Sequence, residues 1–210
     1  MAAESSGTRP AFVPATTALL LCDMQNDFVH PEGAYARGGV TSAGVAAIVP
    51  RLATLAGAAR QAGLLVAATL FTLAPGRGGA PLVAPHLRRL RPFLAPGDFA
   101  PGAWGQAVLD ALGPVDAAVE KVAYDAFHQS RLEWVLRGAG VTTLIVGGIV
   151  TNGCVASTVR RAHAMGFESL VLEDGCATID PAAHAPNIEA LRSVATITTC
   201  AAVGAALAGA

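Results

Sequence analysis

The sequence predicts a doubly wound α/β domain built on a six-stranded, mainly parallel sheet. Short apolar runs rich in β-branched residues alternate with stretches of helical spacing, the pattern of successive β–α units. Hydrophobic residues make up 53% of the chain and charged residues 14%, which excludes disorder and suits a sheet buried on both faces. The length, 210 residues, fits a single domain, and no repeat or linker divides it.

The elements follow in order. Residues 1–15 read as a flexible N-terminal segment, and 17–22 (TALLLC) as a short buried strand ending at Asp23. Over 42–62, Val45, Ile48, Leu52 and Leu55 recur on one helical face, and Gly63 stands where a helix-ending glycine would. Residues 64–71 form the second strand. From 72 to 102 prolines and glycines break the pattern, predicting a long loop of the kind that closes a site. A short helix is expected over 103–112 and a strand over 116–121 (DAAVEK). Ser130 and Glu133 have the spacing of a capping box opening a helix. The run 142–150 is the most β-patterned in the chain, and helical spacing follows through Val155, Thr158, Val159 and Ala162 to Gly166. Strands over 169–173 and 195–199, with a helix over 181–192 between them, complete the sheet. The apolar end, 201–210, suits either a last helix over the sheet or a face against a second subunit.

Several function classes drop out. The apolar stretches stop short of the roughly 18 residues that cross a bilayer, and 14 basic against 15 acidic residues leave no basic stripe for a phosphate backbone. We therefore expect neither a membrane nor a nucleic-acid partner. The cysteines, Cys22, Cys154, Cys176 and Cys200, form no C-x-x-C pair and sit in apolar runs, which reads as reduced thiols of a cytoplasmic protein. The first ten residues show neither the cationic nor the apolar region of a secretion signal. There is no G-x-S-x-G elbow and no G-x-G-x-x-G after the first strand, against a serine hydrolase or a dinucleotide enzyme.

In open α/β sheets ligands bind beyond the carboxyl ends of the strands, and three reactive side chains fall there. Cys154, in 147-GGIVTNGCVAST-158, sits at a strand-to-helix turn after Gly153. The free N–H groups and positive dipole end of a first helical turn favour a thiolate and can hold an oxyanion. A lone strand cysteine is ordinarily structural, the reading given to Cys22, Cys176 and Cys200. Asp23 follows four apolar residues, a setting that strengthens a carboxylate as a base, although a turn aspartate is the plain alternative. Lys121 ends its strand, where a cation can steady a thiolate or a carboxylate or can simply be solvated. Nucleophile, base and cation at three strand ends fit covalent catalysis at a carbonyl.

These residues lie in blocks that resemble the isochorismatase-like cysteine hydrolases: 19-LLLCDMQNDFVHPEGA-34, 120-EKVAYDAFHQSRLEWVLRGAGV-141, 144-LIVGGIVTNGCVASTVRRAHAMGF-167 and 171-VLEDGCAT-178. The resemblance implies a Rossmann-like three-layer α/β/α sandwich and a catalytic triad of Asp23, Lys121 and Cys154. It also implies a cis peptide between Ile149 and Val150 and an oxyanion hole made by the Val150 and Cys154 N–H groups. Metal-binding members carry a D-x-H…H site after the second strand, but 70-LFTLAPGRGGAP-81 has neither Asp nor His. His30, His86, His128, His163 and His184 show no ligand spacing, so neither metal nor cofactor is expected. The cysteine argues against the isochorismate-cleaving branch and for C–N hydrolysis, and 28-FVHPEGAYARGG-39 looks most like members acting on carbamoyl or ureido substrates.

The expected activity is thiol-dependent hydrolysis of a small amide, carbamoyl or ureido compound through a thioester-type intermediate. The alternative is a protein of the same fold with non-thiol acid–base chemistry or a binding role. Gln25, Phe28 and Phe127 are assigned to substrate binding, Phe28 and Phe127 as apolar walls and Gln25, with Asn26, supporting the Asp23 loop. Arg37, Arg77, Arg88, Arg89 and Arg91 are the candidates for gripping a substrate carboxylate. The resemblance also favours a homo-oligomer, dimer or tetramer.

Overall fold

The computed structural model describes residues 11–209; the first ten residues of the expected flexible segment lie outside the described residues. After a 3₁₀ turn (Pro14–Thr16) the chain enters β1 (Thr17–Cys22), every residue of which is buried. Short helices α1 (Asn26–Val29) and α2 (Ala34–Arg37) precede the long α3 (Ala43–Gln61). Gly63, at φ +76°, ends α3, and Leu64 N–H bonds back to Ala59 O at 3.0 Å, closing the helix as predicted. Then come β2 (Leu65–Phe71), α4 (Pro85–Leu90), β3 (Ala117–Lys121), α5 (Leu132–Gly138) and β4 (Thr143–Ile149). After β4 follow α6 (Ala156–Ala164), β5 (Glu168–Ala177), α7 (His184–Leu191), β6 (Thr196–Thr198) and α8 (Cys200–Leu207).

The six strands lie in the order β3-β2-β1-β4-β5-β6, all parallel. This is the doubly wound order, and its switch point falls between β1 and β4. Alternation along β1 divides the core. Ala18, Leu20 and Cys22 pack with Leu132, Leu136, Val155, Val159 and Ile188 under α5, α6 and α7. Leu19 and Leu21 pack with Ile48, Leu52, Leu55, Val203 and Leu207 under α3 and α8. The C-terminal segment is therefore a helix covering the sheet.

Three local expectations are corrected. Residues 103–112 do not form one helix but two 3₁₀ turns, Trp104–Gln106 and Asp110–Leu112. Between them the backbone also bonds to the neighbouring segment: Asn26 N–H to Ala107 O and Leu109 N–H to Met24 O, each 3.0 Å. The capping box does not close. Ser130 Oγ donates to Ala126 O and accepts from Leu132 N–H, while Glu133 pairs with Arg137 one turn on. The fifth strand runs to Ala177, well past Glu173. Its offset from β4 is 25 at Val146↔Val171 (171 − 146) and 28 at Gly148↔Cys176 (176 − 148), so a bulge carries the polar residues Glu173 and Asp174 through the strand.

The 72–102 segment is packed and contains α4. Asp27, 3% exposed, accepts from Ala34 N–H at 3.0 Å and Phe99 N–H at 2.7 Å, tying this segment to α2. Phe28, Tyr35, Phe71 and Phe99 cluster around that tie in tilted and edge-to-face pairs with ring centroids 4.6–6.2 Å apart.

Candidate active site

Asp23 leaves β1 with φ +53°, a left-handed conformation sustained only where surrounding bonds fix it. Its N–H is held by Thr69 O and Thr69 Oγ1, both at 3.2 Å, and its Oδ1 accepts from the Thr69 hydroxyl at 2.8 Å. Oδ2 meets Lys121 Nζ at 2.7 Å. The register explains the encounter: Cys22 lies opposite Thr69 on β2, and two residues on Phe71 lies opposite Lys121 on β3.

Lys121 is 3% exposed. Its ammonium also donates to Ala123 O at 2.9 Å and lies 5.5 Å from the centre of the Phe71 ring. Burial alone would pull its pKa down, but the Asp23 carboxylate and the Cys154 sulfur outweigh that and hold it above the ordinary lysine value. The lysine therefore stays charged.

Cys154 lies in a π-helical turn, Thr151–Val155, between β4 and α6. Turns of this kind are frequent at functional sites. The Ile149–Val150 peptide is cis, as the resemblance implied. Thr158 Oγ1 accepts from Ala126 N–H at 3.0 Å and stands 3.9 Å from Cys154 Sγ. Around the turn, Thr151 Oγ1 pairs with His184 Nδ1 at 2.9 Å and Thr178 Oγ1 donates to Asn152 Oδ1 at 2.7 Å. Gly153 is needed for space more than for a sharp turn: a Cβ there would fall 2.8 Å from Val150 Cγ2 and 3.0 Å from Tyr124 Cε1. Cys22 is the unanticipated neighbour. The Cys154 sulfur beside it, with burial behind it, pushes its thiol well above the ordinary range, so it stays protonated beside the nucleophile candidate.

A cavity of about 400 Å³ opens over this cluster, lined by Asp23, Lys121, Phe28, Phe71, Arg91 and Tyr124 among others. Cys154, 1% exposed, is not among the lining residues. A larger hollow of about 740 Å³ lies at the amino ends of the strands and holds none of the three reactive side chains.

Phe28 lines the cavity; the other two residues assigned to substrate do not. Gln25 is fully buried, accepting from Phe71 N–H at 2.8 Å and donating to Phe71 O at 3.0 Å and Gln106 O at 2.9 Å. Its amide is consumed in holding the Asp23 loop to β2, and Asn26 helps by donating to Trp104 O at 2.8 Å. Phe127 turns into the core and stacks on Phe167 at 5.8 Å, because the apolar space under α5 and α6 takes the ring. Of the histidines, His86 and His128 line the cavity. Among the described residues no group of three or more His, Cys, Asp or Glu side chains converges as metal ligands would. The sequence reading passed over Thr69 and Asp27, and took Cys22 as structural without placing it beside Cys154. Asp27 stood in the same D-x-Q-N-D-F block as Asp23, but Thr69 becomes visible only through strand register.

Comparison with known proteins gives the family. The Isochorismatase domain family matches residues 17–202. A ureidoacrylate amidohydrolase RutB of Methylobacterium radiotolerans is 35% identical over 175 residues, covering 78% of this chain and 68% of that one. A cysteine hydrolase from Pseudomonas syringae pv. phaseolicola superposes with a TM-score of 0.81 at 26% identity, over 94% of this chain and 95% of the other. The N-carbamoylsarcosine amidase of Thermoplasma acidophilum gives a TM-score of 0.69 at 25% identity, over 88% of this chain and 96% of its own. With a match running from β1 into α8, the chain belongs to the isochorismatase family of hydrolases.

Proposed function

We propose that this chain, a hydrolase of non-peptide C–N bonds, works through a covalent intermediate on Cys154 and takes a small carbamoyl, ureido or amide substrate. The observation that carries the reading is the buried Asp23–Lys121 pair, 2.7 Å apart, at the same end of the sheet as the Cys154 turn. Asp23 takes the Cys154 proton, and the thiolate attacks the carbonyl carbon. The Val150 and Cys154 N–H groups receive the oxyanion, and Asp23 returns the proton to the departing ammonia or amine. Asp23 then takes a proton from water, whose oxygen attacks the thioester carbon, and the thiol is re-formed as the acid leaves. Lys121 supplies the counter-charge in both halves, and Phe28 forms an apolar wall.

The relatives named for ureidoacrylate and N-carbamoylsarcosine support a carbamoyl or ureido substrate. Four buried free cysteines support a reducing, cytoplasmic setting, and no helix among the described residues is long and apolar enough to cross a membrane. A homo-oligomer, dimer or tetramer, belongs to the same reading and is measured by light scattering; a monomeric mass removes it.

A second reading, acid–base chemistry by Asp23 and Lys121 without the thiol, draws on the absence of Cys154 from the cavity lining. Ammonia release across ureidoacrylate, N-carbamoylsarcosine, biuret, nicotinamide and simple amides separates the two. Turnover lost in Cys154→Ala with the fold retained supports the thiol; wild-type turnover in that variant supports the second reading.

A further inference from the structure

We propose that Arg91 is a specificity-determining residue that selects substrates carrying a carboxylate, so that the preferred substrate is the anion of a short ureido or amido acid. The proposal rests on the hydrolase reading above and names the substrate class of the same site.

Among the ionisable groups lining the cavity, Asp23 and Lys121 neutralise each other, and Arg91 stands with His86 and His128. Arg91 is half-buried, yet no carboxylate among the described residues pairs with it. Its partners are both neutral: Nε donates to the Tyr35 hydroxyl at 2.6 Å, and one terminal nitrogen to the Tyr124 hydroxyl at 3.3 Å. Burial raises the Tyr35 phenol above its ordinary value against the pull of Arg91, so Tyr35 brings no negative charge. A guanidinium has five N–H donors. Two are used, and three remain for a ligand in the cavity. A planar fork with donors to spare matches a carboxylate.

The other candidate arginines are committed or turned away. Arg37 pairs with Asp98, Arg88 donates to Pro81 O, and Arg77 and Arg89 are exposed and do not line the cavity. The guanidinium is also held to the nucleophile's turn. Tyr124, whose hydroxyl accepts from Arg91, lays its ring against Gly153, the residue before Cys154. One tyrosine side chain thus bridges the anion-binding end and the reacting end, which limits the substrate to a short acid. The same tie to Tyr35 and Tyr124 would also pin the 72–102 segment, so the test separates selection by charge from support of the fold.

Ammonia release from N-carbamoyl-β-alanine is compared with that from (3-methylbutyl)urea, in which an isopropyl group replaces the carboxylate, for wild type, Arg91→Met and Arg91→Lys. Wild type prefers the acid. Arg91→Met lowers kcat/KM for the acid about 100-fold, mostly in KM, and leaves the neutral urea within about twofold, while Arg91→Lys falls between. Equal losses on both compounds, or no preference in wild type, overturn the proposal. Calorimetry of succinate reads the anion site independently of the thiol and decides the matter where neither urea is turned over. Succinate binding weakened about 100-fold in Arg91→Met supports the site, and unchanged or undetectable binding in wild type and variant overturns it. Should Cys154→Ala keep wild-type turnover while succinate still needs Arg91, the thiol mechanism fails and the anion site stands.

Discussion

Lys121 keeps its charge in a place where a lone lysine would give it up, because the Asp23 carboxylate lies 2.7 Å from the ammonium. Removing one member of such a buried pair costs about 3–5 kcal/mol, since the other charge is left without a partner. Lys121→Met is expected to show that loss in urea unfolding and to lower kcat about 100-fold. The double variant Asp23→Asn/Lys121→Met recovers much of the stability and none of the activity. Asp23→Asn alone lowers kcat by about 10²–10⁴ and changes KM little, as expected for a lost base. The cysteines set an alkaline limit. Burial raises Cys176, and burial with Asp174 beside it pushes Cys200 up to about 12; the neighbouring Cys154 sulfur, then burial, raises Cys22. A raised folded pKa means that the folded chain binds more protons than the unfolded one between the two values. The stability these thiols contribute is therefore complete below the ordinary cysteine value of about 8.5 and is lost as pH climbs toward the folded values. Unfolding free energy is expected to fall with pH above about 8.5, less steeply in Cys176→Ala; a flat profile to pH 11 would contradict this.

At the scale of elements, the site is held by strand ends and by the close approach of β1 and β4. Gly148, at φ +119°, faces Cys22 across the sheet, and a Cβ there would fall 2.2 Å from Cys22 O. Gly148→Ala is expected to cost about 3 kcal/mol or more in thermal or urea unfolding. Gln25→Leu tests the reassignment of Gln25. It strips partners from the buried Phe71 N–H and O, each worth about 1–3 kcal/mol, so it should lower the Tm and kcat while leaving KM nearly unchanged. A selective rise in KM would return Gln25 to the substrate. The elements that were legible in the sequence depend on local pattern: apolar runs gave the strands, and Gly63 gave the end of α3. The elements that were missed depend on contacts distant in sequence. The 103–112 segment gives its hydrogen bonds to residues 24–26, the β5 bulge is set by pairing with β4, and Phe127 is drawn inward by Phe167. Asp23 and Lys121 could be placed because each sits at a strand terminus, and Cys154 because a glycine-marked turn follows its strand. Thr69 and the Tyr35–Arg91–Tyr124 chain could not, because register and side-chain direction bring them together.

The described residues form one parallel sheet with helices on both faces, and the reactive side chains Asp23, Lys121 and Cys154 gather at the carboxyl ends of β1, β3 and β4. All four cysteines are buried, but Cys154 alone lies in the turn between β4 and α6. That asymmetry allows the central claim, that Cys154 is the nucleophile, to be read from the intact protein. The measurement is iodoacetamide labelling near neutral pH, with labelled mass, labelled position and remaining ammonia release followed in the same samples. The account predicts one label per chain, on Cys154, with activity falling in proportion to it, protection by substrate, and no label on Cys22, Cys176 or Cys200. Full labelling of Cys154 with activity intact, or loss of activity that follows another cysteine, would contradict it.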